Sequence, residues 1–229
     1  MASDFRLFYR EFRRAYRTTG AIAPSGRRLA RALARFVADG SKSEPRRILE
    51  VGPGTGSVTE SIIAGMRARD TLDLVELNDR FVARLRERLR TDPRFAPAAD
   101  RTRILHQPVE SLTAEPAYDL IVSGLPLNNF EVSEVRRLLQ VFAELLRPGG
   151  TLSFFQYIAI RPAKALVSGR QARQRLRGIG QALAEVLDEH EVQRDWIWPN
   201  LPPAWVHHVR PGGSAQDMSL GASSDDGRN

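Results

Sequence analysis

The sequence predicts an α/β protein with a doubly wound, mostly parallel β-sheet and an antiparallel hairpin at one edge. Three observations lead to this fold class. Short apolar runs alternate with longer segments of helical periodicity through most of the 229 residues. A glycine-rich turn at residues 50–56 joins the first apolar run to a helical segment. The last two apolar runs have no helical segment between them, which predicts a hairpin.

The elements follow in order from the N-terminus. Helices are predicted over 4–17 and 25–38. The predicted strands are Arg47–Val51, Leu72–Leu77, Arg103–His106, Asp119–Ser123, Thr151–Ile158, Glu191–Trp198 and Ala204–Val209. Apolar residues at helical spacing predict a helix after each of the first, second and fourth strands. The apolar face of the first helix consists of Val58, Ile62, Ile63 and Met66, and that of the second of Phe81, Val82, Leu85 and Leu89. The apolar face of the third consists of Val135, Leu138, Leu139, Phe142, Leu145 and Leu146.

Glycine and proline residues predict the remaining boundaries. Arg147-Pro148-Gly149-Gly150 predicts a helix end. An arginine-rich helix is predicted over 163–189, with an interruption near Gly178 and Gly180. Residues 211–229 are rich in Gly, Ser and Asp, which is typical of a flexible tail. The expected organisation is an N-terminal segment 1–24, a domain 25–210 and a tail 211–229.

Composition narrows the function classes. Hydrophobic residues make up 42% of the chain, as in soluble globular proteins, and the absence of cysteine excludes disulfides, thiolate metal sites and cysteine nucleophiles. No apolar run approaches the roughly 18 residues of a membrane span, and recurring arginines interrupt the N-terminus where a signal peptide would be apolar. We therefore expect a cytoplasmic protein. The four histidines show no ligand spacing, so no metal is expected.

The formal charge of +7 indicates an anionic partner. That partner could be nucleic acid or an acidic lipid surface. The remaining alternative is a basic surface that binds no partner.

The glycine-rich turn is the first candidate site. Its pattern is E-x-G-x-G-x-G, with Glu50 two residues before the first glycine. A dinucleotide-binding fingerprint would need glycine at position 57, which is Ser57. Glu76 ends the second strand, where a carboxylate can accept hydrogen bonds from ribose hydroxyls. The turn therefore predicts a nucleoside-bearing cofactor, although an ordinary strand-to-helix turn has similar glycines.

The loop after the fourth strand is the second candidate site. It reads Ser123-Gly124-Leu125-Pro126-Leu127-Asn128-Asn129. Ligands of doubly wound sheets bind at the carboxyl ends of the strands, and both candidate loops begin there. A proline soon after a small residue at the end of a buried strand favours a functional loop over a plain connection.

These motifs together resemble those of the bacterial phospholipid N-methyltransferases. The turn resembles motif I of the class I S-adenosylmethionine (SAM) methyltransferases, and the second loop resembles their motif IV. The more specific likeness lies in the G-L-P-L form of motif IV, in Gly20-Ala21-Ile22-Ala23-Pro24-Ser25 and in Asn200-Leu201-Pro202-Pro203-Ala204. The resemblance covers roughly residues 5–210. It implies a Rossmann-like fold and SAM as cofactor, with S-adenosylhomocysteine as product. It also implies methylation of phosphatidylethanolamine and its mono- and dimethylated forms towards phosphatidylcholine, at the inner face of the cytoplasmic membrane.

The resemblance also implies site residues. Those expected to hold the cofactor are Thr19, Gly20, Ala21, Glu50, Gly52, Pro53, Gly54, Gly56, Glu76, Leu77, Pro108, Val109 and Ser123. The expected catalytic residues, which aim the substrate nitrogen, are Tyr16, Ser123, Gly124, Leu125 and Pro126. The expected substrate-binding residues are Glu60, Leu127, Asn128, Asn129 and Tyr157. Many relatives bind adenine through an aspartate where this chain has Pro108, so the adenine contact departs from the family pattern.

The N-terminal segment suggests a membrane contact. Phe5, Phe8, Tyr9, Phe12 and Tyr16 share one helical face, and Arg6, Arg10, Arg13, Arg14 and Arg17 flank it. Such a helix can lie in an anionic membrane interface, with residues 1–24 also covering the cofactor; packing on the protein core is the alternative. The arginines 161, 170, 173, 175 and 177 form either a second contact or a solvated helix face.

Two other functions remain open. Ribosomal-RNA adenine dimethyltransferases are akin to this family, but they carry Asn and Tyr where this chain has Gly124 and Leu127, and a helical RNA-binding domain follows their catalytic domain. A non-catalytic module that binds SAM and membrane is the third possibility. We expect a lipid surface and phosphatidylethanolamine as partners, no nucleic acid, no obligate protein partner and a monomer.

Overall fold

The computed structural model describes residues 24–39, 44–112, 117–157, 170–198 and 203–211. The predicted N-terminal helix and nearly all of the predicted tail lie outside these residues. One seven-stranded sheet has the order β3-β2-β1-β4-β5-β7-β6. Its strands are β1 Arg47–Val51, β2 Thr71–Val75, β3 Thr102–Leu105, β4 Tyr118–Ser123, β5 Leu146–Tyr157, β6 Glu191–Ile197 and β7 Ala204–Val209. The first five strands are parallel, and β7 runs antiparallel to both β5 and β6, so the predicted fold class is confirmed.

Helices cover both faces of the sheet. They are α1 Pro24–Leu33, α2 Arg35–Ala38, α3 Ser57–Gly65, α4 Asp79–Thr91, α5 Val132–Leu145 and α6 Arg170–His190. Apolar side chains of α1 to α4 form one core with one face of the sheet, and those of α5 and α6 form a second core with the opposite face. This arrangement leaves the carboxyl ends of the parallel strands to the connecting loops. Within the described residues, no helix is long and apolar enough to cross a membrane.

Several strand ends lie one or two residues from the predicted ones, and three differences are larger. The segment 25–38 forms two helices, which divide at Ala34. Strand β5 begins at Leu146 rather than Thr151, because Leu146 already pairs with Tyr118 across a register shift. The predicted interruption near Gly178 is wrong, since α6 continues from Arg170 to His190. A Cβ at Gly178 would lie 2.7 Å from the Val132 side chain, so this glycine allows α6 to pack closely on the start of α5.

Candidate active site

The glycine-rich turn adopts the backbone that its sequence predicts. Gly52, Gly54 and Gly56 have φ angles of 71°, 56° and 83°, a region that side-chain-bearing residues rarely adopt. The Gly52 amide donates to the carbonyl of Val75 at 3.0 Å, which ties the turn to the end of β2. A Cβ at Gly52 would lie 2.6 Å from the Leu125 side chain. The turn therefore leaves no room for a side chain on the side that meets the second candidate loop.

Glu76 lies beside this turn, as predicted. Its side chain is buried, and its two carboxylate oxygens accept hydrogen bonds from the amide of Gly54 at 3.1 Å and from the amide of Asn78 at 2.8 Å. These bonds fix the carboxylate against the glycine-rich turn. A carboxylate has about four acceptor positions, so hydroxyl donors of a ligand can be accepted as well.

Glu50 is the second carboxyl group beneath the turn, and it is fully buried. One oxygen accepts a hydrogen bond of 2.6 Å from the Thr59 hydroxyl, while Oε1 is buried and has no hydrogen-bond partner among the described residues. Burial raises the pKa of Glu50 to about 8; the nearby Glu76 adds to the rise, whereas the Thr59 hydrogen bond opposes it. A buried acceptor without a partner is costly, and a cationic or N–H donor of a ligand would satisfy it.

The two candidate loops contact each other through backbone. The Gly124 amide donates to the carbonyl of Val51 at 2.9 Å, and a Cβ at Gly124 would lie 2.7 Å from the carbonyl oxygen of Gly52. The Leu125 amide also donates to the Ser123 hydroxyl at 3.4 Å. A larger residue at position 124 would need the loops to separate, which accounts for glycine at this position.

The end of the second loop brings Asn128 and Tyr157 together. The Asn128 side-chain amide donates to the carbonyl of Tyr157 at 3.2 Å, while its Oδ1 is buried and finds no hydrogen-bond partner within the part of the chain that the structure describes. Leu127 is fully buried in the α5–α6 core, so its side chain supports the loop from within. Asn129 is half-buried. The structure thus offers Asn128 Oδ1 as an acceptor at the end of the loop.

Two arginines hold these loops, and sequence reasoning missed both roles. Arg88 of α4 donates to the carbonyls of Thr55 and Gly56 at 2.9 and 3.1 Å and lies 4.0 Å over the ring of Phe95. Arg175 of α6 donates to the carbonyls of Asn129 and Phe130 at 3.3 and 3.4 Å. The side chain of Arg175 therefore contacts the second loop, a role that the two alternatives for the arginine-rich stretch did not include. Only the i,i+4 spacing of Arg88 and Asp92 was visible in the sequence.

Glu60, another predicted substrate-binding residue, lies in the first turn of α3, directly after the glycine-rich turn. Its carboxylate pairs with Arg88 at 3.2 Å and with Arg94 at 2.9 Å. It lines a groove of about 840 Å³ between α1, α3 and α4, together with the arginines 27, 31 and 84. The structure therefore assigns Glu60 to an ion-pair network outside the two candidate loops.

The predicted adenine contact is placed only in part. Pro108 immediately precedes a 3-10 helix over Val109–Ser111, and the Val109 side chain is buried in the α5–α6 core. The backbone of Leu77 accepts a hydrogen bond from His106 at 3.2 Å if that ring nitrogen carries the proton. Tyr16, Thr19, Gly20 and Ala21 lie outside the described residues, as do the membrane-binding residues of the predicted N-terminal helix.

The residues present fit SAM. The positive-φ glycines would allow a ligand to approach the backbone closely, the Glu76 carboxylate beside them could accept hydrogen bonds from ribose hydroxyls, and the buried Glu50 Oε1 could accept from a cationic group. No pyrophosphate-binding glycine is present at position 57, as expected for a cofactor without a pyrophosphate. With the seven-stranded sheet, these features define a class I SAM-dependent methyltransferase.

Comparisons with known proteins agree and identify the family. A family described as a methyltransferase domain matches residues 49–152. Ornithine lipid N-methyltransferase of Singulisphaera acidiphila is 30% identical over 150 residues, which cover 66% of this chain and 76% of that protein. The chain belongs to the family of that relative, the class I SAM-dependent lipid N-methyltransferases.

Two further comparisons place the family in its superfamily. Ribosomal RNA small subunit methyltransferase A of Parasynechococcus marenigrum is 35% identical over 96 residues, covering 42% of this chain and 30% of that protein. The crystal structure of magnesium protoporphyrin IX methyltransferase from Synechocystis PCC 6803 with bound SAM has a TM-score of 0.61 at 11% identity and covers 87% of this chain and 91% of that one. The latter likeness is one of fold, and it confirms the Rossmann-like methyltransferase architecture.

Proposed function

We propose that this methyltransferase acts on the amine of phosphatidylethanolamine and of its mono- and dimethylated forms, producing phosphatidylcholine at a membrane surface. The observation that carries the proposal is the second loop. Its Asn128 Oδ1 is a buried acceptor with no partner among the described residues, and its Leu127 side chain is buried in the core. Such a loop suits a small aliphatic amine, because it presents no aromatic ring at this position on which a base could stack.

The chain's own residues would act by binding and desolvation. When bound, SAM supplies the methyl group. Glu76 and the turn Gly52–Gly56 would hold the cofactor, and the Gly124–Asn128 loop would orient the amine. An ammonium group that leaves water for this loop loses solvation, which lowers its pKa and favours the neutral, nucleophilic amine. Positioning and water exclusion are therefore the main contributions of the protein.

The relative from Singulisphaera motivates a second substrate, because its name specifies an ornithine lipid. Ornithine lipids also present an amine at the headgroup, so the same acceptors would serve. The test therefore includes both lipids, together with unmethylated ribosomal RNA for the alternative that the RNA methyltransferase relatives suggest.

Purified protein with methyl-labelled SAM would be offered phosphatidylethanolamine vesicles, ornithine-lipid vesicles and ribosomal RNA separately. We expect label in phosphatidylethanolamine, and a loss of roughly tenfold or more in the rate for Asn128→Leu, which removes a buried hydrogen-bonding acceptor. Asn128→Asp keeps an acceptor but loses the donor to the carbonyl of Tyr157, so thermal unfolding of both variants accompanies the rate measurement. Label in ornithine lipid alone would move the proposal to that substrate, label in RNA alone would refute the lipid proposal, and vesicle binding without label would indicate a non-catalytic module.

We also propose that residues 1–17 bind the anionic surface on which this substrate lies. The support is the spacing of aromatic and arginine residues in the sequence. Each basic residue near such a surface contributes about 1 kcal/mol, so Arg10→Glu/Arg13→Glu should weaken vesicle binding strongly, and more so at low salt. SAM affinity should change less. Vesicle binding and lipid methylation that survive deletion of residues 1–17 would refute this assignment.

A further inference from the structure

All three tryptophans of the chain lie together on the edge hairpin. The rings of Trp196 and Trp198 are 6.0 Å apart, and those of Trp196 and Trp205 are 5.5 Å apart. Trp196 and Trp198 are 60% and 64% exposed, whereas most large apolar side chains of the described residues are buried. We call Trp196, Trp198 and Trp205 the tryptophan surface. Burial of such rings would be strongly favourable, so their exposure needs an explanation.

The strand pattern shows that these rings do not belong to the core. Along β6, residues alternate between a protected face and an exposed face, and Trp196 lies on the exposed one with Val192 and Arg194. Ile197 on the other face is buried. Because β6 is the last strand of the sheet, its exposed face can meet a partner without any rearrangement of the strand order.

The tryptophan surface lies at the carboxyl-terminal edge of the parallel strands. Ser123, the last residue of β4, pairs with Phe154 of β5. Trp205 of β7 pairs with Gln156, two residues further along β5 in the same direction, and with Trp196 of β6. The Gly124–Asn128 loop also leaves this edge and binds the carbonyl of Tyr157. A surface that binds the tryptophans would therefore lie at the same edge of the sheet as the candidate active site.

Charge indicates what kind of partner fits. Arg28, which is exposed, donates to the backbone carbonyl of Trp198. Arg194 lies 5.5 Å over the ring of Trp205, although its charge is partly balanced by an ion pair with Glu191. The chain as a whole carries a formal charge of +7. Tryptophan is enriched where a membrane meets water, because its ring is apolar and its N–H is polar, and arginine is attracted to anionic headgroups. The combination is complementary to the headgroup region of an anionic bilayer.

We propose that the tryptophan surface docks into the headgroup region of an anionic bilayer and orients the carboxyl-terminal edge of the sheet towards the lipid. This inference rests on the proposed function, since it supplies the orientation that a lipid-headgroup substrate requires. It is distinct from the contact proposed for residues 1–17, because it uses the folded edge hairpin.

Intrinsic fluorescence provides a direct test, because every tryptophan of the 229-residue chain belongs to this surface. Vesicles of phosphatidylethanolamine and phosphatidylglycerol should shift the emission to shorter wavelength. The same vesicles with lipids brominated near the headgroup should quench it. Protein that sediments with vesicles while its tryptophan emission is neither shifted nor quenched would overturn the proposal, as would a failure to bind anionic vesicles.

Variants separate docking from folding. Trp196→Ala/Trp198→Ala should weaken vesicle binding by about tenfold or more, while SAM affinity and thermal stability stay near wild type, because both rings are exposed. Val192→Ala is the matched control, since Val192 lies on the same face of β6 and is 47% exposed, and it should bind vesicles as wild type does. Vesicle binding that the double substitution leaves unchanged would overturn the proposal. So would a dimer that dissociates in the double variant, because the surface would then join two copies of the chain.

The two proposals can fail separately. Quenching by brominated lipid without methyl transfer to any lipid would retain the docking surface and refute the proposed substrate. Methylation of phosphatidylethanolamine in detergent micelles, with no quenching in vesicles, would retain the substrate and refute the docking surface.

Discussion

The amide of Gly124 donates a 2.9 Å hydrogen bond to the carbonyl of Val51, which joins the loop after β4 to the glycine-rich turn after β1. The two strands are adjacent and parallel, so both loops leave the same edge of the sheet. A Cβ at Gly124 would lie only 2.7 Å from the Gly52 carbonyl oxygen. The cofactor-binding turn and the loop proposed to hold the amine are thus fixed relative to each other by backbone alone.

This contact predicts that a single methyl group would disturb both loops. Gly124→Ala places a Cβ against the backbone of Gly52, and such overpacking typically costs about 1–3 kcal/mol. SAM affinity should therefore fall together with methyl transfer, although residue 124 belongs to the second loop. Calorimetry with SAM and S-adenosylhomocysteine measures the effect. Unchanged affinity for both would show that the two loops move independently.

Glu76 is expected to dominate cofactor affinity. Hydrogen bonds to charged groups contribute about 1.5–3 kcal/mol, so Glu76→Ala should weaken SAM binding by roughly 10- to 100-fold. Glu76→Gln keeps the size and one acceptor and should lose less. Because Glu76 also accepts from Gly54 and Asn78, thermal unfolding of each variant must accompany the titration. A protein that binds NAD but neither SAM nor its product would contradict the assignment.

Glu50 is expected to make the folding stability of the unliganded protein depend on pH. Burial raises its pKa from 4.5 to about 8, so the folded state holds a proton that the unfolded state releases between these values. The stability contributed by the protonated carboxyl is present below about pH 4.5 and is lost as the pH rises towards 8. Glu50→Gln mimics the protonated form. Without SAM it should therefore raise the melting temperature at pH 8 more than at pH 5.

The same substitution should weaken SAM binding, because an amide cannot supply the charge that a cationic ligand would favour. An equal melting shift at both pH values, or stronger SAM binding in the variant, would show that Glu50 is not a carboxyl group destabilised by burial at this site.

Arg88 is expected to act as a positioning residue for the glycine-rich turn. Arg88→Met keeps much of the side-chain stem but removes the hydrogen bonds to the carbonyls of Thr55 and Gly56, together with the ion pairs to Glu60 and Asp92. Losing two hydrogen bonds from a charged side chain should reduce the free energy of unfolding by several kcal/mol at most. The expected signs are weaker SAM binding and a lower melting temperature. Arg84→Met, one helical turn earlier on α4, is the matched control because Arg84 is exposed. Equal effects of both substitutions would point to general surface charge instead.

Local sequence patterns were sufficient to predict most of the strands and helices and to point to the two loops. Strands β1 and β7 have their predicted bounds because alternation and apolar runs depend on neighbouring residues alone. The turn was identified because backbone with a positive φ favours glycine, and the spacing of the glycines is visible in the sequence. Gly178 was misjudged for a tertiary reason: its close contact with Val132 outweighs the low helix propensity of glycine.

Side-chain partners between distant segments were not predictable. Arg175 belongs to an arginine-rich stretch, and nothing in that stretch indicates that it bonds to the backbone of Asn129. Glu60 is an acidic residue on a helix, and its local sequence does not indicate Arg94 as its partner. The buried side chains of Leu127 and Val109 likewise depend on how α5 and α6 pack against the sheet. Sequence patterns therefore indicated the two candidate loops, whereas the contacts that support these loops required the structure.

The central claim is that this site methylates the amine of a membrane lipid. Its most direct test is mass spectrometry of the lipids from a bacterial host that makes phosphatidylethanolamine but none of its methylated forms, expressing either wild type or Glu76→Ala at equal levels. The account predicts mono-, di- and trimethylated phosphatidylethanolamine with wild type, and little or none with the variant. Wild-type protein that binds SAM but leaves every lipid unmethylated, or that methylates ribosomal RNA instead, would contradict it.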